Sequence, residues 1–355
     1  MYIVIAILLF GVLIAAHEWG HFIAARLCGV TVHEFAIGMG PALWRHTGKK
    51  GTEFSVRALP IGGYCAMEGE EEESDDPHSL TSQNFGKKVL VFAAGAIMNF
   101  LVGLVILLLL YADAEAFRTA EITGFAPEFQ LQGENGLQQG DILYSIDGER
   151  IYLFSDVSMF LAQGDGTGFD LVVLRQGEKV ALDDFPMTLG EFTDSQSGGT
   201  YTGYGLYFGG VVEATVGGKL KMAWYNAVDF VRIVWYSLKM LVTGNAGVKD
   251  LSGPVGIVST ITEVGQQSAT FRAAAENIAH IGALITVNLA VMNLLPIPAL
   301  DGGRIFFLAV STLSEKLLKK RIPMKYEAVI NVGGFVLLMA LMVFVTFNDV
   351  MKLIG

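Results

Sequence analysis

Residues 17–21 read His-Glu-Trp-Gly-His. On a helix, side chains four residues apart lie on one face, so His17 and His21 can bind one metal ion together. Glu18 stands beside them, placed to take a proton from a water that such an ion activates. Two histidines leave a catalytic zinc one protein ligand short of the usual three. One carboxylate in another apolar stretch stands out: Asp301, in NLLPIPALDGGR (293–304). Pro296 and Pro298 interrupt the helix before it, and Gly302 and Gly303 follow it. Zinc ligation and the capping of a helix starting near Gly302 are its two readings; the presence of HEWGH favours the first.

The elements that must position these residues are apolar. HEWGH sits inside AILLFGVLIAAHEWGHFIAARL, and the 355-residue chain is 52% hydrophobic and 17% charged. A soluble domain carries about 25% charged residues. The deficit lies in four stretches, 1–28, 89–111, 280–310 and 328–347, each near or above the ~20 residues that cross a bilayer. Val89–Tyr111 and Val329–Phe347 hold no charge at all. A carboxylate near a bilayer centre costs roughly 3 kcal/mol, and such residues are rare and functional. A broken helix at membrane depth is tolerated where it lines a cavity, which is where a ligand at Asp301 belongs. The first stretch lacks a basic start and a small-residue cleavage site, so it reads as a retained span.

The expected fold is therefore a polytopic α-helical membrane protein of about four transmembrane helices, with two additions. One is a β-hairpin region within the loop 29–88, where Phe54, Val56 and Ala58 alternate; the acidic run 68–76 that follows reads as a solvated loop. The other is an α+β insert over 117–195. Residues 220–243 are apolar but carry Asp229, Arg232 and Lys239, which suits an interfacial amphipathic helix. Lys and Arg collect on cytoplasmic loops. Seven fall in 26–88 and five in 311–326, whereas 112–221 holds six basic against 17 acidic residues. The insert would thus lie outside. The formal net charge of −11 argues against a nucleic-acid partner. Cys28 and Cys65 both fall on the expected cytoplasmic side and read as reduced thiols.

Within the insert, NGLQQGDILYSIDGERI (135–151) places a Gly-Leu-x-x-Gly-Asp turn before an alternating strand and an Asp-Gly turn. It resembles the signature of PDZ domains, which bind a peptide as an added strand; this makes Gly136, Leu137, Gly140 and Asp141 a candidate peptide-binding loop. A small β-rich domain of another kind is the alternative.

Taken together, the motifs resemble those of the site-2 proteases, in particular the bacterial regulators of anti-sigma factors with one PDZ insert. HEWGH is similar to that family's zinc-binding helix and NLLPIPALDGGR to its third-ligand motif. GTEFSVRALPIGGYCAMEGE resembles a membrane-reentrant hairpin, SDDPHSL the segment after it, and SGPVGI (252–257) a motif before the third span. The resemblance implies His17, His21 and Asp301 as ligands of one Zn2+ and Glu18 as general base. It implies cleavage of single-span membrane proteins (anti-sigma factors or remnant signal peptides) already trimmed outside by a site-1-type protease. It also implies a bacterial plasma membrane with the active site near its cytoplasmic side. Asn99, Asn288 and Asn293 match positions that bind the oxyanion or the substrate backbone; helix–helix hydrogen bonding is their other reading. The hairpin either clamps an unwound substrate by strand addition or seals the site from water. GAIMN (95–99) departs from the family in having Ala96 where proline is usual. Two other classes compete. A metal-ion transporter needs polar residues along several spans, and the second and fourth have almost none. A non-catalytic PDZ scaffold has no use for Glu18.

Overall fold

The computed structural model describes all residues except 71, 73, 165, 194–198, 245–246, 248–250, 320–321 and 355. The acidic run at Glu71 and Glu73, the last two residues expected in the insert, and Lys320 and Arg321 of the basic connection lie outside the described residues.

The chain opens with α1 (Tyr2–Cys28), β1 (Val32–Thr47), β2 (Glu53–Met67) and α2 (Phe85–Leu110). A second unit follows: β3 (Ala116–Arg118), β4 (Ile122–Phe125), β5 (Ile142–Ile146), β6 (Glu149–Arg150), α3 (Phe154–Leu161), β7 (Phe169–Arg175) and β8 (Glu178–Phe185). It continues through β9 (Gly190–Thr193), β10 (Thr200–Gly203), β11 (Leu206–Phe208) and β12 (Val211–Glu213). The chain ends with α4 (Val216–Thr243), α5 (Pro254–Gln267), α6 (Phe271–Asn293), α7 (Asp301–Leu318) and α8 (Met324–Ile354). Two compact units result, one made of Met1–Leu107 and Phe230–Gly355, the other of Leu108–Asp229.

In the first unit, four helices are long and apolar enough to cross a membrane: Tyr2–Cys28, Phe85–Leu110, Phe271–Asn293 and Met324–Leu353. Three coincide with expected spans. The third does not match its expected bounds of 280–310, because the chain leaves the helix after Asn293 and re-enters one only at Asp301. Pro296 lacks an N–H, and the residue before each proline disfavours the helical region, so 294–300 form a turn and the apolar run is divided in two. The helix expected at 220–243 forms as α4 and is not among the four.

The hairpin is more elaborate than a pair of strands. Residues 34–37 of β1 are paired on both sides, with 53–56 and with 63–66, while 42–47 pair with the other side of 53–57. The two strands therefore fold back on themselves into four segments, with 63–66 at one edge. That edge lies on α1: a Cβ at Gly63 would stand 3.3 Å from Cγ of Glu18. One face is tied by Glu34, which accepts hydrogen bonds of 2.7 Å from Ser55, Arg57 and Tyr64. Burial works against its charge, yet these three donors hold Glu34 down at about 2.

The helices of this unit meet through local caps as well as apolar packing. α5 begins at Pro254, and the buried Asp349 of α8 accepts from the backbone N–H groups of Gly253 (2.9 Å) and Gly256 (2.8 Å). This is what SGPVGI encodes here: a helix start whose open N–H groups are satisfied by a carboxylate from a distant helix.

The second unit is α+β. A four-stranded sheet of order β6-β5-β7-β8 packs Leu143, Ile146, Leu171 and Val173 into a core with Leu137 and Val157. The Asp-Gly turn joins β5 to β6 with positive φ at both residues (Asp147 49°, Gly148 78°), as such a hairpin requires. The unit is larger than the expected 117–195, since β11 and β12 return to pair with β4 and β3. Strands of three residues are too short to show a period of two, which is why their sequence did not reveal them.

Candidate metal centre

His17 and His21 project from one face of α1, and Asp301 is the first residue of α7. The structure brings the three together across 280 positions of sequence. His17 Nε2 lies 3.2 Å from Asp301 Oδ2, His21 Nε2 lies 3.3 Å from the same oxygen, and the two Nε2 atoms are 3.2 Å apart. Donors at about 2.0–2.1 Å from a tetrahedral zinc are about 3.3–3.4 Å from one another, so the triangle fits that ion. Asp301 Oδ2 is buried and has no hydrogen-bond partner of acceptable geometry, as a ligand oxygen would be before its ion is counted. Among the described residues, this is the one group of three with metal-ligand spacing.

Local structure explains how each ligand arrives. The α1 helix sets the two histidines one turn apart. His21 Nδ1 is 2.8 Å from the carbonyl oxygen of Val91 on α2. The Asn99 amide of the same helix lies 3.2 Å from His17 Nδ1. Between these two partners stands Gly95, and a Cβ there would lie 2.4 Å from His21 Nε2 and 2.7 Å from His17 Nε2. The absent side chain is therefore the space the imidazoles occupy. On the other side, Ala299 adopts a left-handed φ of 72° and donates its N–H to Asn331 Oδ1 of α8 at 3.2 Å. A Cβ at Gly302 would sit 2.3 Å from the Leu294 carbonyl oxygen, so the Asp-Gly-Gly start of α7 tucks under the end of α6. Arg304, one turn further, pairs with Glu70 of the segment after the hairpin.

His17, His21, Ala299 and Asp301 line a cavity of about 760 Å3. Glu18 lines it too, together with Tyr64, Cys65 and Met67 from the hairpin edge, and Glu70 and Arg304. Burial pushes the Cys65 thiol up to about 12, and Cys65 is not part of the three-residue cluster. Cys28 and Cys65 are both free.

The remaining expected site residues fall elsewhere. Asn99 is fully buried and faces His17, and it does not line the cavity. Asn288 is exposed and Asn293 half-buried, and neither lines the cavity. In the second unit, Leu137 is a core side chain with 0% exposure. Asp141 is paired with Arg175 at 2.8 Å and also accepts from the Gln138 N–H. Arg175 donates to the Gly136 carbonyl as well, and Gly140 has a left-handed φ of 89° that shapes the turn. Gly136, Leu137, Gly140 and Asp141 thus take part in bracing the loop. Gly95, Val91, Asn331 and the Glu70–Arg304 pair escaped the sequence reading. For Gly95 and Asn99 a signal existed: with Val91 they recur at a spacing of four on one face of α2.

The sequence matches peptidase family M50 over residues 5–341. It is 40% identical to a candidate zinc metalloprotease of Clostridium perfringens, covering 99% of this chain and 98% of that protein. A candidate zinc metalloprotease of Clostridium acetobutylicum is 35% identical, with 98% and 97% covered. The zinc metalloprotease RasP of Oceanobacillus iheyensis is 28% identical, with 99% of each covered.

Proposed function

Because this chain belongs to peptidase family M50 and is an intramembrane zinc metalloprotease, we propose that it hydrolyses peptide bonds of single-span membrane proteins, with His17, His21 and Asp301 as ligands of one Zn2+ and Glu18 as general base. The observation that carries this assignment is the triangle of ligating atoms, spaced for a tetrahedral ion and open to the cavity that Glu18 lines. Zinc held there supplies Lewis acidity toward a water and a carbonyl oxygen. Glu18 takes the proton of the attacking water and returns one to the leaving amine.

The hairpin edge at 63–66 runs along the same cavity. A substrate unwound and added to that edge as a further strand would present its peptide bonds to Glu18. This favours the clamp over the seal, because a helical peptide bond is already engaged in its own hydrogen bonds. The substrates we propose are anti-sigma factors or remnant signal peptides, trimmed beforehand by a site-1-type protease. The α+β unit is read as PDZ-like and extracytoplasmic, excluding untrimmed substrates by size or binding their new C-termini. Any peptide site on it lies away from the Leu137 and Asp141 side chains. The distribution of Lys and Arg supports an orientation with the metal site toward the cytoplasm, and the bacterial relatives support a bacterial plasma membrane.

The test compares wild type with Glu18→Gln in one purified preparation, assaying zinc content and cleavage of a single-span test protein. Zinc retained at one ion per chain with cleavage reduced at least about a thousandfold supports the assignment. Cleavage that persists in the variant refutes it.

A further inference from the structure

One contact at the metal centre does not match the chemistry required of it. Asn99 is fully buried, and its Nδ2 lies 3.2 Å from Nδ1 of His17. Its other amide atom, Oδ1, is buried with no hydrogen-bond partner among the described residues. An amide N–H beside Nδ1 makes a bond only if Nδ1 carries a lone pair, which puts the imidazole proton on Nε2. Yet Nε2 is the atom that points to Asp301 Oδ2 and to His21 Nε2 at 3.2 Å. A ligating imidazole has its lone pair there and its proton on the opposite nitrogen. The oxygen and nitrogen of an amide have the same shape, and which is which follows from the hydrogen bonds. Turning the Asn99 amide half a turn puts Oδ1, now without a partner, where Nδ1–H can donate to it.

The neighbouring ligand shows the same arrangement with a group that cannot be turned. His21 Nδ1 faces the Val91 carbonyl oxygen at 2.8 Å, which only accepts. Val91 and Asn99 lie on one face of α2 with Gly95 midway between them, and Gly95 leaves room for both rings. One helix thus offers one acceptor to each histidine.

We infer that Asn99 is a positioning residue for His17: its Oδ1 accepts the Nδ1–H and fixes the tautomer whose Nε2 lone pair faces the metal. The inference rests on the assignment of His17, His21 and Asp301 as zinc ligands. It replaces an oxyanion role with one exerted through the ligand.

The experiment uses the full chain purified in detergent, stripped of metal and titrated with Zn2+ against a chromophoric chelator. Asn99→Leu keeps the branched shape and removes the acceptor, whereas Asn99→Asp keeps an acceptor. Partners of this kind are worth about 10–100-fold in metal affinity. Asn99→Leu is expected to weaken zinc binding by about that factor, and Asn99→Asp to stay within a few-fold of wild type. Asn99→Ala carries the same expectation as Asn99→Leu and serves if the latter does not fold. Zinc bound as tightly by Asn99→Leu as by wild type overturns the inference. So does an equal loss in the Asp and Leu variants, which indicates packing alone. Wild type that takes up no zinc refutes the ligand assignment itself, a result distinct from either.

Discussion

The two arms of the candidate metal centre are built by opposite strategies. The histidine arm is one unbroken helix, and its geometry follows from four residues of α1. The aspartate arm is a turn divided by prolines. Around Asp301, Asn331 of α8 holds Ala299, the end of α6 covers Gly302, and Glu70 pairs with Arg304. The comparison teaches that ligands carried by a regular element need space around them, while a ligand carried by a turn needs partners. Gly95 supplies the space to the first arm, and three separate segments supply partners to the second.

The comparison breaks most visibly at Arg304. Arg304→Met leaves the largely buried Glu70 without its partner, and removing one member of such a pair costs about 2–3 kcal/mol after allowing for partial exposure. Thermal unfolding of the full chain in detergent should show that loss, and the double variant Arg304→Met/Glu70→Leu should recover most of it. A single variant as stable as wild type would mean that the aspartate arm does not depend on this pair. The histidine arm is tested at Gly95→Ala. Alanine is the better helix former, so α2 itself should not suffer, but the added Cβ overlaps both imidazoles. Overpacking of about 1–3 kcal/mol then falls on the ligands and should appear as roughly tenfold to hundredfold weaker zinc binding in an unfolding-competent, folded protein. Zinc affinity unchanged in Gly95→Ala would show that the rings have room to move. The smallest effect is expected at Asn331→Leu, where one neutral hydrogen bond of about 1 kcal/mol is lost from the turn before Asp301. Zinc affinity should fall by several-fold with the spans intact; no change would show that α6 and Glu70 suffice to hold the arm.

Much of this centre was legible in the sequence because its chemistry is out of place in its surroundings. His17, Glu18 and His21 stand in an apolar helix at a spacing that only a shared face explains, and Asp301 stands among prolines and glycines in another apolar run. The helix boundaries were less legible: hydropathy alone carried the third span through Pro296 and Pro298, whereas the backbone ends it at Asn293. Contacts between elements were not legible at all. The spacing of Val91, Gly95 and Asn99 marks a shared face of α2 but not that this face meets His17 and His21, because helix packing, not sequence separation, decides which faces touch. Leu137 and Asp141 show the same limit from the other side. Their motif marked a turn correctly, but its side chains are consumed by the core and by Arg175.

The separation of the two arms along the chain has a consequence in time. Ribosomes add about 5–20 residues per second, so roughly 15–55 seconds pass between the synthesis of His21 and that of Asp301. During that interval α1 can already sit in its place with both imidazoles, and the third ligating atom does not yet exist. The aspartate can join the histidines only after α7 has been made, and the bond from Ala299 to Asn331 of α8 steadies the turn later still. A chain interrupted before α7 therefore holds the histidine arm of this cluster without its aspartate.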